Sequence, residues 1–182
     1  MSEQAVTSEF ELIYRTTRTQ LLAYLVRRVG DSADAADLLA ETYTVVWRRR
    51  DDWPDSEEIV PWLYGIARNL IRSHVRSVFR QQELTARLAL SLSRQLQSST
   101  PATDVVRDLR LALEVLREGD RELLRLTAWE GLSPAQIATV TGKSPESIRV
   151  GLHRARQRLR AALDAADVAE PERTVLAPPA HC

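Results

Sequence analysis

Several residue types that build common kinds of functional site are scarce in this chain of 182 residues. It has one cysteine, Cys182 at the last position, so no internal disulfide can form and no set of cysteines is spaced for a metal ion. Its three histidines are scattered, and it has no glycine-rich loop that could cradle a phosphate. We therefore expect no catalytic residue, no metal, no cofactor and no small-molecule substrate.

The chain also lacks the patterns of sheet and membrane proteins. It has six glycines and eight prolines, little alternation of β-branched residues, and long stretches rich in Leu, Ala, Arg and Glu, which favour helices. Its longest apolar runs, such as residues 21–26, are far too short to span a bilayer. Its first residues are acidic where a signal peptide would be basic. The sequence thus predicts an all-α, cytoplasmic protein that does not insert into a membrane.

Positive charge is collected in two places although the net charge is zero. Residues 62–80 hold four arginines and no acidic residue, and residues 143–160 hold six basic residues and one acidic residue. Between them, a stretch rich in Gln, Ser and Thr with one proline is typical of a linker, although its regularly spaced leucines also suit a short helix. We predict a helical N-terminal domain over residues 1–80, a linker over 81–104, a helical C-terminal domain over 105–165 and a flexible tail over 166–182.

The second basic region carries the signals of two short helices joined by a tight turn. Ser133 and Gln136 form a capping box, with a proline between them at the first helical position, and Gly142 ends that helix. Ser144 and the proline after it repeat the start signal. Two helices meeting in this way are typical of a helix-turn-helix, whose second helix enters the major groove of DNA.

The second of these helices has one apolar and one basic face. The predicted core stripe consists of Ile148, Leu152, Ala155 and Leu159. The predicted outer stripe consists of Arg149, His153, Arg156 and Arg160. A solvated basic helix is the alternative interpretation. Gly151 either lets the backbone approach DNA closely or is simply tolerated at its small helical cost.

The first basic region, residues 62–80, differs in composition from the second, because aromatic residues accompany its arginines. Trp62 and Tyr64 come before arginines spaced four apart from Arg68 to Arg80. Aromatic rings can stack on unpaired bases while arginines follow the phosphates, so this pattern suits single-stranded DNA. Packing of both aromatic side chains in a core is the competing interpretation.

Upstream, residues 31–50 form an acidic and apolar amphipathic pattern. Asp34, Asp37 and Glu41 share one face, while Leu38 and Trp47 belong to the apolar set. Such a helix is either an ordinary surface helix or one that docks on a partner protein.

Taken together, residues 10–163 resemble a bacterial sigma factor of the extracytoplasmic-function (ECF) type, the smallest class of RNA polymerase specificity subunit. Residues 34–49, "DAADLLAETYTVVWRR", are similar to the helix that docks on the clamp coiled coil of the largest polymerase subunits. Residues 61–76, "PWLYGIARNLIRSHVR", are similar to the segment that melts and reads the minus-ten element. Residues 116–160 are similar to the domain that reads the minus-thirty-five element.

The resemblance implies a division of roles among the residues, with core RNA polymerase and promoter DNA, both duplex and melted non-template strand, as partners. The residues expected to bind polymerase, or to support those that do, are Asp34, Asp37, Leu38, Glu41 and Trp47. Minus-ten reading is expected at Trp53, Trp62, Tyr64, Arg68, Asn69, Arg72 and Arg76, with residues 50–58 holding a flipped base. Minus-thirty-five reading is expected at Lys143, Ser144, Ser147, Arg149, Val150, His153, Arg154 and Arg156.

Two positions depart from the family pattern, and they bear on the promoter sequence. Ser73 stands where the family often has Asp, and Val150-Gly151 stands where it often has Ser-Arg. A stand-alone helix-turn-helix regulator is the alternative function, and an anti-sigma factor is a further expected partner. Because the two promoter elements lie farther apart than a relaxed linker spans, we expect polymerase to hold residues 81–104 extended. In the free chain we expect the two domains to fold toward each other and to bind promoter DNA poorly.

Overall fold

The computed structural model describes residues 3–88 and 104–169, and every regular element in these ranges is helical, which confirms the all-α prediction. The elements are α1 (Glu3–Val29), α2 (Ser32–Arg48), a 3₁₀ turn (Arg50–Asp52), α3 (Ile59–Leu88), α4 (Asp104–Val115), α5 (Glu118–Ala128), α6 (Pro134–Thr141) and α7 (Pro145–Ala169). No helix in the described ranges has the length and apolar character to cross a membrane. Helix α3 continues eight residues past residue 80, and the remainder of the predicted linker and most of the predicted tail lie outside the described residues.

Helices α1, α2 and α3 pack together into the N-terminal domain. The turn from α1 to α2 depends on Gly30, which adopts a positive φ of 77°, and on Asp31, whose carboxylate accepts hydrogen bonds from the first backbone N–H groups of α2. One pair of buried polar groups in this domain is hydrogen-bonded, since the Thr17 hydroxyl and the Tyr43 phenol lie 2.7 Å apart. The core is formed by fully buried apolar side chains, including Leu21, Leu25, Ala35, Val46, Leu63 and Ala67.

Helices α4 to α7 form the C-terminal domain, and its turn is built as the sequence predicts. The Ser133 hydroxyl accepts from the Gln136 backbone, and the Gln136 side chain accepts from the Ser133 backbone, so the capping box is confirmed. Gly142 ends α6 in the left-handed conformation, with φ of 69°. The Ser144 hydroxyl then accepts a hydrogen bond from the Ser147 backbone N–H and caps α7. Helices α6 and α7 therefore form a helix-turn-helix.

The two domains pack against each other, with α6 lying on α3. A Cβ atom at Gly65 would lie 3.6 Å from the backbone oxygen of Val140, so the backbones of the two helices are close here. Val140 is buried, and the buried apolar residues of both domains form one continuous cluster. Nearby, the Thr139 hydroxyl donates to the Glu58 carboxylate at 3.2 Å. The expectation that the domains fold toward each other in the free chain is confirmed.

Candidate nucleic-acid interface

Helix α7 shows the two faces that its sequence pattern predicts. Ile148, Leu152 and Ala155 are at most 2% exposed and anchor the helix in the core of the C-terminal domain. The predicted DNA-reading residues at the start of the helix and along its outer stripe are exposed: Lys143, Ser144, Ser147, Arg149, Val150, His153, Arg154 and Arg156. Because this outer stripe carries cationic side chains and no acidic one, its electrostatic character fits a DNA backbone and base edges.

Gly151 has a packing role that the sequence did not reveal. A Cβ atom there would lie 2.8 Å from the Leu123 Cδ1 atom of α5, and Leu123 is buried. Glycine therefore lets α7 approach α5 closely. This packing accounts for a glycine at position 151 without close approach of the backbone to DNA.

The minus-ten segment on α3 places only some of its predicted readers at the surface. Tyr64 is 3% exposed, its ring lies 4.9 Å from that of Tyr24, and burial raises the pKa of its phenol to about 12. Tyr64 is therefore a core residue that no base can reach in this arrangement, and its prediction as a DNA contact is corrected. Trp62 is half-buried, with the Arg49 guanidinium carbon 5.3 Å from its ring centroid, so the two side chains form a cation–π pair at the surface.

The arginines and the asparagine of this segment lie beside the C-terminal domain. Arg68, Asn69 and Arg72 line a cavity of about 260 Å³ together with Arg49, Trp62 and the end of α6 at residues 139–142. Asn69 and Arg72 remain exposed, whereas Arg68 is half-buried at the interface. Arg76, one helical turn further along α3, is exposed. The minus-ten residues thus share a surface, and α6 covers one edge of it.

The loop between α2 and α3 forms the wall of a larger cavity of about 850 Å³. Trp53 is half-buried there, and its indole N–H donates to the Val46 carbonyl oxygen at 2.9 Å. That bond fixes the ring in the wall, next to Phe10, with ring centroids 6.3 Å apart. The cavity is open to solvent and is large enough for a base, and its lining includes Asp51 and Asp55.

The predicted polymerase contacts on α2 include both exposed and buried side chains. Asp37 and Glu41 are exposed one turn apart, and Trp47 is 37% exposed. Asp34 is half-exposed and its carboxylate lies 3.3 Å from the His74 ring of α3. Leu38 is only 3% exposed, so of its two expected roles, contact or support, burial favours support: it fixes α2 in the core and holds the exposed Asp37 and Glu41 in place.

An ionic cluster between the domains was not foreseen from the sequence. Arg27 and Arg28, at the end of α1, contact the Glu130 carboxylate at 2.8 and 3.3 Å. The Glu122 carboxylate of α5 lies 3.3 Å from Arg28 Nε and 3.9 Å from Arg68 Nε. No sequence signal links these residues, because they are about 50 to 100 positions apart and join only when the domains meet.

Comparison with known proteins identifies the family. The model of Sigma-70 region 2 matches residues 13–81, and the model of Sigma-70 region 4 matches residues 107–159. The chain is 31% identical over 156 residues to the RNA polymerase sigma factor CarQ of Myxococcus xanthus, which covers 83% of this chain and 87% of CarQ. It belongs to the ECF RNA polymerase sigma factors. It is also 30% identical over 149 residues to the ECF sigma factor SigF of Caulobacter vibrioides, covering 81% of this chain and 82% of SigF.

A solved structure agrees with this assignment at the level of the fold. The sigma factor RpoE of Bartonella quintana, in complex with the anti-sigma factor NepR, matches with a TM-score of 0.64 and 23% identity over 86% of this chain and 97% of that one. As a sigma factor, the chain binds core RNA polymerase and promoter DNA and acts in transcription initiation. A stand-alone helix-turn-helix regulator is not favoured, because region 2 is present as well as region 4.

Proposed function

We propose that this sigma factor divides promoter recognition between the two domains, with residues 1–80 docking on the polymerase clamp and reading the minus-ten element. Residues 105–165 read the minus-thirty-five element. The observation that carries the proposal is the sorting of α7, where cationic residues stand outward while Ile148, Leu152 and Ala155 on the opposite stripe are at most 2% exposed and Leu159 is half-buried. A helix anchored in this way can enter a major groove as a rigid reader.

Within α7, Arg149 is the best candidate for a base contact. It lies in the second turn of the helix, is exposed, and is the first residue of the outer stripe. An arginine there can donate two hydrogen bonds to a guanine edge. Lys143 and the exposed arginines further along bind phosphates, which position the helix without reading sequence.

The minus-ten element is read by the exposed part of α3 and by the cavity of the preceding loop. Asn69 and Arg72 offer hydrogen-bond donors at the surface, and Trp62 offers a ring face for a base once Arg49 moves aside. The cavity beside Trp53 receives a base flipped out of the melted non-template strand.

Polymerase binding is assigned to the acidic stripe of α2. Asp37 and Glu41 form its exposed centre, and Trp47 extends it with a half-exposed ring packed on Phe10, 5.1 Å between centroids. The protein works in the cytoplasm without a catalytic step, cofactor or metal of its own, as a specificity subunit does. An anti-sigma factor is a further partner, because the related fold of RpoE is known in such a complex.

Gel filtration with core RNA polymerase, followed by transcription from a promoter library, tests this function. The protein should co-elute with core polymerase in the absence of DNA, and the selected promoters should share two conserved elements. A protein that binds duplex DNA tightly but never co-elutes with core polymerase would contradict the proposal.

A further inference from the structure

The ionic cluster between the domains brings three arginines of the N-terminal domain against two carboxylates of the C-terminal domain. Glu130 accepts two hydrogen bonds from one terminal nitrogen of Arg27, at 2.8 and 2.9 Å, and one from Arg28 at 3.3 Å. Glu122 lies between Arg28 and Arg68. The Arg28 and Glu130 side chains are only 5% and 2% exposed, so water screens their interaction little.

Pairing between these groups is incomplete. The contact of Arg28 Nε with Glu122 is an ion pair without hydrogen-bond geometry, and the other terminal nitrogen of Arg28 has no protein partner among the described residues. The Arg28 guanidinium carbon instead lies 3.7 Å from the centroid of the Tyr24 ring. Three guanidinium groups of the N-terminal domain, those of Arg27, Arg28 and Arg68, here called the arginine face, therefore contact two carboxylates, and Arg28 keeps donors without a partner among the described residues. Arg125 and Glu118 of α5, of opposite charge, line the same cavity as Arg28 and Arg68.

The guanidinium groups of the arginine face are well suited to bind oxyanions. Guanidinium groups bind carboxylates and phosphates with the same planar geometry, so a carboxylate can stand where a phosphate of a nucleic acid would otherwise bind. Arg68 belongs to this face and also to the minus-ten segment, directly before Asn69. The face is therefore continuous with the surface that meets the melted strand.

The contact between α6 and α3 also covers part of the proposed minus-ten surface when the two domains are packed together. The end of α6 borders the cavity that holds Arg68, Asn69 and Arg72, and Val140 packs on α3 at Gly65. Glu122 and Glu130 thus occupy the arginines that could bind phosphates. Helix α6 meanwhile restricts access to Asn69 and Arg72, which are proposed to contact bases. Both contacts are lost together when the domains separate.

We propose that Glu122 and Glu130 act as intramolecular phosphate mimics that inhibit the free sigma factor. On this basis, Arg27 and Arg28 are additional contacts for the promoter backbone, uncovered with Arg68 when polymerase holds the domains apart. This inference rests on the proposed minus-ten role of α3. It assigns a function to Arg27 and Arg28 beyond that role.

The first test measures binding of the free protein to a fluorescent single-stranded oligonucleotide carrying the non-template minus-ten sequence of a promoter selected with the wild type. Glu122→Gln with Glu130→Gln removes both carboxylate charges and leaves buried arginines unpaired, which favours opening. We expect binding about tenfold tighter, as when the competent fraction rises from roughly a tenth to nearly all. Förster transfer between dyes on the two domains should fall in parallel.

Glu114→Gln with Asp164→Asn is the matched control, because it makes the same charge change at exposed residues away from the cluster. It should leave both the affinity and the transfer efficiency unchanged. Circular dichroism checks that each variant is folded, and if the double variant is not, Glu122→Gln alone should still tighten binding about threefold. Equal affinity for wild type and carboxylate variants would overturn the phosphate-mimic proposal.

The second test uses the holoenzyme, where the domains are apart. Arg27→Gln with Arg28→Gln should reduce the slope of log binding constant against log salt by roughly 0.7 to 0.9 per arginine, whereas Arg15→Gln with Arg18→Gln should not change it. An unchanged slope would remove Arg27 and Arg28 from the promoter contacts. Failure of the wild type to co-elute with core polymerase would instead count against the proposed function, so the two failures are distinguishable.

Discussion

The two DNA-reading regions of this sigma factor differ in how freely they are exposed. Helix α7 presents its cationic stripe to solvent with its base-reading end uncovered, whereas the reading segment of α3 is bordered by α6 and tied through Arg68 to the other domain. The helix proposed to read duplex DNA is thus exposed in the free chain, and the segment proposed to read melted DNA is partly covered. The difference matches the order of use, because a melted strand exists only after polymerase has bound a promoter.

The largest expected effect is on polymerase binding, the step that is proposed to move the two DNA-binding domains apart. Asp37→Arg with Glu41→Arg reverses the charge of the exposed stripe on α2 and should abolish co-elution with core polymerase, because like charges across an interface cost several kcal/mol. Glu11→Arg, at an exposed position on α1, is the control and should co-elute normally. Co-elution of the double variant at wild-type level would move the docking surface elsewhere.

Leu38 is unsuitable for that experiment although it was expected to contact polymerase or to support residues that do. It is 3% exposed, and Leu38→Ala would remove core packing worth about 2 to 5 kcal/mol. Loss of polymerase binding by that variant would report unfolding rather than a lost contact.

The partly covered segment of α3, which is proposed to read melted DNA, can be tested by the rate of promoter opening. Trp62→Ala with Asn69→Ala should leave the closed complex nearly normal and slow opening, since one lost base–aromatic stack is worth about 1 to 3 kcal/mol. Permanganate footprinting of thymines measures the rate, with Ser77→Ala at an exposed position further along α3 as control. Wild-type opening by the double variant would count against a melting role for this segment.

The exposed outer stripe of α7, which is proposed to read duplex DNA, is tested by promoter preference. Arg149→Ala should cost about 1 to 3 kcal/mol and relax the preference at one position of the minus-thirty-five element. Arg158 is the matched control, because its guanidinium pairs with Asp120 of α5 and is not available as a base reader. Arg158→Ala should leave the preference unchanged. Equal loss of preference in both variants would contradict base reading by Arg149.

The helix-turn-helix could be predicted closely from the sequence because its signals are local. Ser133, Gln136, Gly142 and Ser144 determine where α6 and α7 begin and end through hydrogen bonds that span three or four residues. The two stripes of α7 follow from helical periodicity alone, and both are confirmed.

Burial of individual residues and contacts between the domains could not be predicted in the same way. Tyr64 and Leu38 suit a binding surface by residue type, and their burial depends on α1 and α2 packing over them. The pairs of Arg27 and Arg28 with Glu130 bridge about 100 positions in the sequence, so no local pattern indicates them. Gly151 likewise reveals its role only through Leu123 on another helix.

The smallest expected effect tests that packing of α7. Gly151→Ala should change the free energy of unfolding by no more than about 1 kcal/mol, because the helical gain offsets a shift of the flexible end of Leu123. Gly151→Leu should cost about 1 to 3 kcal/mol by overpacking, and Leu123→Ala in the same chain should recover part of that cost. Urea unfolding measures the cycle. Additive effects of the two substitutions would show that these residues are not coupled.

The free sigma factor is closed in this structure and is proposed to open for strand reading, and a reversible lock between the domains tests this opening. A Cβ atom at Gly65 would lie 3.7 Å from the Val140 Cα atom, so Gly65→Cys with Val140→Cys, in a Cys182→Ser chain, is the pair chosen for a disulfide across the interface, and a non-reducing gel shows whether it has formed. Single-round transcription with core polymerase is measured before and after reduction, with each single cysteine variant as control. The account predicts that the oxidised protein fails to open promoters and that reduction restores opening. Equal promoter opening by the oxidised and reduced protein would contradict it.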